Sequence, residues 1–312
     1  MRVGAMSFLP RLLCKRPLSS LRPEALSVLY IDHHVLAINK PPGVLSQNDV
    51  KGSSSPVSKL AEVYLREKLG KAPFIRTVHR LDRPVSGVIC LALSHKAATS
   101  MSQSFKTRQG VHKCYYCVVE GSMDGGGCVE SMVVAPGKKA RTQVICSRTR
   151  PGSWFEGKEQ ESEWITESGV TRKGAKLAVL DWAAVHSFTH RLGGKQTLLR
   201  VRIHTGRKHQ IRCQLSALGH PVVGDTKYGS KVRLKDRSIA LHARTLVLPH
   251  PVSGKPLILD APVPATWCKL FDDELVKAIS EDGQTELGRL QKDGPSQVAQ
   301  QEQEQLRAVI TR

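Results

Sequence analysis

The chain has 312 residues, of which 40% are hydrophobic and 5% aromatic, enough for a mainly aliphatic core in one large domain or two small ones. Residues 24–271 alone hold 37 basic and 18 acidic residues, so the body of the chain is basic and favours nucleic acid or an anionic membrane surface as a partner. No apolar run reaches 18 residues, so no membrane-spanning helix is predicted.

Residues 1–23 form a basic N-terminal segment that is rich in Arg, Leu and Ser and contains no acidic residue. That composition is typical of an organellar presequence and predicts a mitochondrial protein. The alternatives are a chloroplast protein, or a cytoplasmic or nuclear protein with a disordered basic N-terminus.

Short strands and helices are predicted next. Residues 27–47 indicate two strands around an Asp-His-His turn, and residues 57–70 place apolar side chains at helical spacing with Gly70 at the C-terminal cap. The run "GVICLALSH" has a strand pattern, and residues 96–110 indicate a helix that ends at Gly110.

The middle of the chain indicates mainly strands. Residues 111–121 have a strand pattern, and "SMDGGGCVE" after them indicates a hairpin-like loop. Residues 147–176 are polar and irregular, which predicts a long surface excursion, and residues 176–206 return to strand patterns.

The last third contains a short helix, predicted over residues 208–219, and a further strand-rich stretch. Residues 272–312 are rich in Gln and Glu and predict a helical or disordered tail outside the core. Strands outnumber helices and do not alternate with them regularly. The pattern therefore predicts an α+β fold, with a large mixed, mainly antiparallel sheet and flanking helices, over residues 24–271.

Two patterns with metal-ligand spacing do not predict a metal site. Cys114 and Cys117 of "CYYC" lie in a predicted strand, where positions three apart point to opposite faces, and no second Cys-x-x-Cys completes a zinc site. His186 and His190 of "HSFTH" also lie in a strand pattern. No phosphate-binding glycine loop or serine-hydrolase elbow is present, so no cofactor is predicted.

Three segments have a more specific pattern: "HRLDRPVSG" at 79–87, "KCYYCVVEG" at 113–121 and "RIHTGRKHQIRCQLSALGHPVVGDTKYG" at 202–229. Their order and spacing resemble the RluA-type family of RNA pseudouridine synthases over most of the chain. The chain departs from the family pattern at Val85, where Thr is usual, and at Gln214, where His is usual.

The resemblance implies the pseudouridine synthase fold and an isomerase that breaks the N1–C1′ bond of a uridine and forms a C5–C1′ bond, with no cofactor. It assigns the catalytic carboxylate to Asp82 and pairs it with Arg212, whose guanidinium would keep Asp82 ionised among phosphates. Attack at C1′, attack at C6 and a glycal route all stay open. A purely structural Asp–Arg pair is the alternative to a catalytic one.

The resemblance also gives roles to Tyr115 and Arg80. Tyr115 would stack on the uracil or act in proton removal at C5, whereas Tyr116 points to the other face of the strand. The alternative for Tyr115 is an ordinary core tyrosine. Arg80 would fill the space left by a flipped-out uridine and hold a phosphate, or hold a phosphate alone.

Further RNA contacts are expected near the start of the short helix and beside Asp82, from His79, Arg207, Lys208, His209 and Gln210. Four other basic residues would extend this track: Lys138, Lys139, Arg141 and Arg202.

The resemblance implies structured tRNA or rRNA as the partner, and we expect a monomer with no membrane partner, metal or small-molecule cofactor. Some family members have an N-terminal S4 RNA-binding module, and we expect none in the 26 residues before the match. One alternative is a catalytically inactive RNA-binding or ribosome-assembly factor on the same fold. Another is a hydrolytic glycosidase, which would need a second carboxylate; Asp225 is expected to be structural instead.

Overall fold

The computed structural model describes residues 26–47, 57–70, 74–135, 141–151, 165–166, 174–189, 194–271 and 273–292. The predicted presequence lies outside these ranges, as do Lys138, Lys139 and His190. The mitochondrial location therefore stays a prediction.

Twelve strands in the described residues form one sheet. In chain order β1 to β12 are Val28–Ile31, Val35–Lys40, Arg76–Thr77, Ser86–Ala92, His112–Glu120, Gly126–Val134, Gln143–Pro151, Ile165–Thr166, Lys176–Thr189, Lys195–Ile203, Leu241–Pro249 and Pro256–Asp260. Helices α1 to α5 are Val57–Leu69, His95–Thr107, Gln210–Ala217, Ala265–Leu270 and Asp273–Lys292, and a 3-10 helix spans Thr226–Tyr228.

The strand order is β1-β2-β4-β11-β5-β10-β9-β6-β7-β8, with β12 also paired to β11 and β3 to β4. Among the described strands, β4 and β11 pair in parallel and the other pairs are antiparallel. The predicted α+β fold with a mainly antiparallel sheet is confirmed.

Strands β2 and β4 are buried on both faces, which explains the unbroken apolar run in β4. Because side chains alternate along a strand, β2 contributes residues to a buried cluster on each face of the sheet. Val35 belongs to the same buried cluster as Met101 of α2, whereas the next residue, Leu36, belongs to the cluster of Leu65 in α1. The two helices therefore cover opposite faces of this half of the sheet.

Helix α2 ends three residues before the predicted Gly110. Ser94 caps its N-terminus by accepting a hydrogen bond from the Ala97 backbone N–H at 3.2 Å. At the other end Arg108 takes the left-handed conformation (φ 65°) that glycine usually takes, and Gly110 (φ 67°) takes it again before β5. Two left-handed residues, rather than one, therefore turn the chain from helix to strand.

Two predicted surface segments are partly strand. The loop "SMDGGGCVE" is not part of a hairpin, because β5 pairs with β10 and β11 whereas β6, which includes its last residues, pairs with β7 and β9. The predicted excursion is wrong for residues 147–151, which pair with β6 as the end of β7, and for residues 165–166, which pair with β7 as β8. Residues 152–164 and 167–173 lie outside the described ranges.

Residues 273–292 are not a tail outside the core. They form α5, whose Leu275 and Ile279 lie in the main buried cluster. Ion pairs reinforce this packing: Arg202 of β10 donates to Glu286 at 2.6 Å, and Arg200 donates to Asp282 at 2.6 Å. The polar composition of the segment did not indicate this packing, because its acidic side chains form ion pairs with arginines of the sheet. Residues 293–312 lie outside the described ranges.

Candidate active site

Asp82 lies in an irregular loop that neighbouring backbone and side chains hold in place. Ser46 accepts a hydrogen bond from the Leu81 N–H at 3.0 Å and donates one to the Leu81 carbonyl at 2.7 Å. The Gly43 N–H donates to the Arg83 carbonyl at 2.7 Å, and the Val85 N–H donates to the Asp82 carbonyl at 3.1 Å. The backbone on both sides of Asp82 is therefore fixed before any substrate binds.

Lys40, the lysine of "NKPPG", connects the loop that follows β2 to the loop that contains Asp82. Its side chain is buried, and Nζ donates to the carbonyls of Pro41 and Val44 at 3.0 Å and of Arg83 at 3.4 Å. Burial lowers the pKa of Lys40 to about 7, and nearby Asp82 opposes that shift. Asp82 thus has the buried Lys40 nearby, in addition to the arginines on either side of it in the sequence, Arg80 and Arg83.

Gly87 explains why the active-site segment ends in Ser-Gly. Its φ is +116°, and a Cβ at this position would lie 2.2 Å from the Ala243 carbonyl oxygen. Ala243 is its partner in the parallel pairing of β4 with β11. Only glycine lets the two strands approach closely right after the Asp82 loop.

Arg212 joins two carboxylates. Its Nη1 donates to Asp82 Oδ2 at 2.9 Å, while Nε and Nη2 donate to the two oxygens of Asp225 at 2.6 and 2.9 Å. The Asp225 side chain is 1% exposed and that of Asp82 18% exposed. Although burial acts against the charged form, the two carboxylates raise the pKa of Arg212 further above its usual value. The predicted partner of Asp82 is confirmed, and Asp225 orients that partner.

His209 faces the other oxygen of Asp82. Its Nε2 lies 3.8 Å from Asp82 Oδ1, and its Nδ1 lies 2.8 Å from the Tyr228 hydroxyl. His209 precedes α3 and has a left-handed backbone, with φ 54°. Burial lowers the pKa of His209 to about 4, even though Asp82 acts in the opposite direction. The ring therefore stays neutral at physiological pH.

Tyr115 is buried in β5, in the same cluster as Leu81 and Ile211, which precede Asp82 and Arg212 in sequence. Burial, aided by Asp82, raises the pKa of Tyr115, so its phenol stays protonated. Tyr116 points to the opposite face, where its hydroxyl donates to Asp282 of α5 at 2.6 Å. Tyr115 and Tyr116 thus lie on opposite faces of β5, as predicted, and the role of Tyr115 at the uracil stays a prediction.

Basic residues surround the loop. Arg80 and Arg207 are exposed, and Arg207 Nε donates to the Leu177 carbonyl at 2.7 Å. Burial lowers the pKa of Lys208, and the nearby charges of Lys227 and Arg80 lower it further. Such mutual repulsion is expected where cations gather to meet a polyanion.

Three residues predicted to contact RNA have other partners. The His79 ring accepts the Cys90 backbone N–H at 2.8 Å and stacks on Phe105. Gln210 is buried, and it donates to the Val179 carbonyl at 2.9 Å while accepting from Thr205 at 2.8 Å. Arg202 is buried against Glu286. These side chains make contacts within the protein. The motifs alone could not show whether they are internal or lie on the surface.

Tyr228 is a site residue to which the sequence assigned no role. It accepts the Thr142 backbone N–H at 3.0 Å, and the guanidiniums of Arg141 and Arg212 lie close to its ring, with Cζ at 5.6 and 5.0 Å from the centroid. The "GDTKYG" segment contained it, and only its position beside Arg212 distinguishes it from a turn residue.

In the described part of the chain, no cluster of three or more His, Cys, Asp or Glu suits a metal ion, and no helix is long and apolar enough to span a membrane.

Comparison with known proteins decides the family. Residues 34–217 match the family model described as RNA pseudouridylate synthase, a match that includes Asp82, Tyr115 and Arg212. This chain belongs to that family. The predicted RluA-type resemblance is confirmed, and so is the prediction of an enzyme of the pseudouridine synthase class.

This synthase is similar to bacterial and human proteins. It is 30% identical to tRNA pseudouridine synthase C of Pectobacterium carotovorum subsp. carotovorum over 78% of this chain and 60% of the relative. It is 31% identical to ribosomal large subunit pseudouridine synthase D of Xylella fastidiosa, over 79% and 68%. The fold is similar to the human structure described as RNA Pseudouridylate Synthase Domain Containing 4, with a TM-score of 0.61 at 22% identity, over 83% of this chain and 94% of that one.

Proposed function

We propose that this synthase converts a uridine in structured tRNA or rRNA to pseudouridine, with Asp82 as the catalytic carboxylate. The observation that supports this most strongly is the asymmetry of Asp82. Arg212 holds Oδ2 at 2.9 Å, and among the described residues no donor lies within hydrogen-bond distance of Oδ1. One oxygen is anchored and the other is available to react.

The chemistry needs no external reagent. Asp82 assists the break of the N1–C1′ bond, the uracil turns within the site, C5 bonds to C1′ and loses its proton, and N1 gains a proton. The same atoms are present before and after, so no oxidant, reductant or group donor is required. The choice among attack at C1′, attack at C6 and a glycal route does not change the role of Arg212, which keeps Asp82 ionised.

Binding follows from the charge around the loop. Arg80, Lys208 and Lys227 lie near one another, and Arg207 is exposed at the same turn. These cations would hold the phosphates while the target uridine leaves its stack, and Arg80 would occupy the vacated space. The tRNA and rRNA named for the two relatives are the substrate classes that we propose.

A glycosidase is less well supported, because its second carboxylate would have to be free. Asp225 is the other acid at the site, yet both of its oxygens accept hydrogen bonds from Arg212 and its side chain is 1% exposed. Asp225 is therefore not placed to protonate a leaving group or to activate water.

Tyr115 is proposed to lie against the uracil, and Tyr116 provides a control on the opposite face of the same strand. We expect Tyr115→Leu to lower kcat/KM by roughly 10- to 100-fold, the usual effect of losing one base–aromatic stack. Tyr116→Leu removes the hydrogen bond to Asp282 and is expected to lower the free energy of unfolding instead. Equal losses of kcat/KM per folded molecule would contradict the assignment of Tyr115.

The function is tested by mapping pseudouridine across total RNA from cells that lack the endogenous gene. These cells receive either the wild-type chain or Asp82→Asn. We expect one or a few uridines in tRNA or rRNA to be modified with the wild type and unmodified with the variant. If no site depends on Asp82, while the variant still rescues the growth defect of the deletion, the chain acts as an RNA-binding or ribosome-assembly factor.

A further inference from the structure

His209 stands in a strained backbone conformation beside the reactive carboxylate. Its φ of 54° is a left-handed value that costs a β-carbon-bearing residue about 1–2 kcal/mol. The side chain does not cap α3, and it turns to Tyr228 instead. Strain of this kind persists where the surrounding structure requires a side chain to point in one direction.

Tyr228 determines which ring nitrogen of His209 carries the proton. Burial raises the pKa of Tyr228 to about 12, so the phenol keeps its proton. Its oxygen already accepts the Thr142 backbone N–H at 3.0 Å. The O–H proton is satisfied when it points to His209 Nδ1, which lies 2.8 Å away. The neutral ring then has its own proton on Nε2.

The Nε2–H group is directed at the place where chemistry occurs. It lies 3.8 Å from Asp82 Oδ1, which is too far for a hydrogen bond, so the carboxylate does not use it. The side chain of His209 is 12% exposed, so the ring can be reached from the site. A donor beside Oδ1 is therefore available to whatever Asp82 acts on.

We propose that His209 is a further catalytic residue, which donates a hydrogen bond from Nε2 to a carbonyl oxygen of the target uracil. The proposal rests on the function proposed above. Negative charge builds on the uracil carbonyls as the N1–C1′ bond breaks, so this hydrogen bond is stronger in the transition state than in the bound substrate.

Burial and three nearby cations keep the ring neutral, against the effect of Asp82. Burial lowers the pKa of His209 to about 4, the positive charges of Arg212, Lys227 and Lys208 act in the same direction, and Asp82 acts against them. A neutral imidazole donates a hydrogen bond without giving up its proton. The departing uracil therefore keeps its negative charge, because His209 does not protonate it. It can then form the C5–C1′ bond.

Two substitutions separate this role from a structural one. Asn at position 209 suits the left-handed backbone, and its amide reaches about as far as Nδ1, so it can accept from Tyr228 but offers no donor at the Nε2 position. Gln reaches about as far as Nε2 and restores a donor there. We expect His209→Asn to lower the single-turnover rate on saturating RNA roughly 10- to 100-fold. The single-turnover rate of His209→Gln is expected to be at least about tenfold higher than that of His209→Asn.

RNA affinity and thermal unfolding of both variants are measured alongside the rates. If Asn reacts as fast as Gln, or faster, per folded molecule, His209 only supports Tyr228 and the proposal is overturned. The failure of the proposed function looks different, because the wild type itself would then form no Asp82-dependent pseudouridine.

The second measurement needs no turnover. Nitrogen-15 NMR of the histidine side chains in the wild-type protein at pH 7 is expected to show His209 neutral with its proton on Nε2. Tyr228→Phe, which removes the hydroxyl, is expected to give a mixture of the two tautomers. A wild-type ring that is protonated on Nδ1, or on both nitrogens, would refute the proposal even if the Gln variant fails to fold.

Discussion

Asp82→Asn is expected to lower the single-turnover rate of pseudouridine formation by roughly 10⁴-fold or more, as loss of an essential catalytic group does in other enzymes. The amide keeps the shape of the side chain and can still accept from Arg212 Nη1, 2.9 Å away in the wild type. It removes the negative charge that the chemistry requires. Because Asp225 still neutralises Arg212, we expect the free energy of unfolding to change by less than about 2 kcal/mol.

Asp225→Asn is the matched control, since it takes the other carboxylate from the same guanidinium. Asp225 is more deeply buried and accepts two hydrogen bonds, so its replacement is expected to cost about 1–3 kcal/mol of stability. The rate loss should be far smaller than for Asp82→Asn, because the reactive carboxylate remains. Kinetics and urea unfolding of both variants check this. Similar rate losses per folded molecule would show that Asp82 is one of two equivalent structural acids.

Arg212→Met is expected to have the largest effect on stability. It leaves Asp225 buried without a counter-charge and Asp82 without its anchor, and breaking a buried pair in this way costs about 3–5 kcal/mol. For a domain of this size that corresponds to a fall in Tm of roughly 6–20 °C. Activity is expected to fall below detection even at temperatures at which the variant is folded.

The double variant Arg212→Met with Asp225→Asn tests the cause of that loss. If the cost comes from an uncompensated buried carboxylate, removing the carboxylate should recover about 1–3 kcal/mol relative to Arg212→Met alone. Arg212→Lys keeps the charge but cannot hold Asp225 through two bonds and Asp82 through a third. It should therefore recover part of the stability and little of the rate. Strictly additive losses in the double variant would argue against the bridge.

The residues that we propose for catalysis could be found in the sequence because they lie in short segments with strict spacing. Asp82, Tyr115 and Arg212 were predicted from three such segments, and the predicted pairing of Asp82 with Arg212 is observed at 2.9 Å. Strands such as β4 and β9 were also predictable, since runs of β-branched and aliphatic residues indicate strands whatever packs on them.

Apart from the pairing of Asp82 with Arg212, contacts between distant segments were not predicted. The motifs that contain His79 and Gln210 are the same whether these side chains face RNA or the interior, and here both make internal hydrogen bonds. The sign of a charge likewise does not say where it lies. Arg202 was expected on the RNA surface and is buried against Glu286 of α5, in a segment whose polar composition suggested a tail.

The sequence by itself determined the family and the mainly antiparallel α+β class, and it indicated the acid that we propose for catalysis, because short segments of strict spacing and the strand patterns along the chain contain this information. Only the tertiary structure decided that Asp225 holds Arg212 from behind and that Tyr228 turns His209 towards Asp82 Oδ1. Hydrogen-bond direction and tautomer depend on which atoms the fold brings together, and the bonds of Arg212 alone reach residues 13 and 130 positions away, Asp225 and Asp82. Local propensity contains no information about such distances.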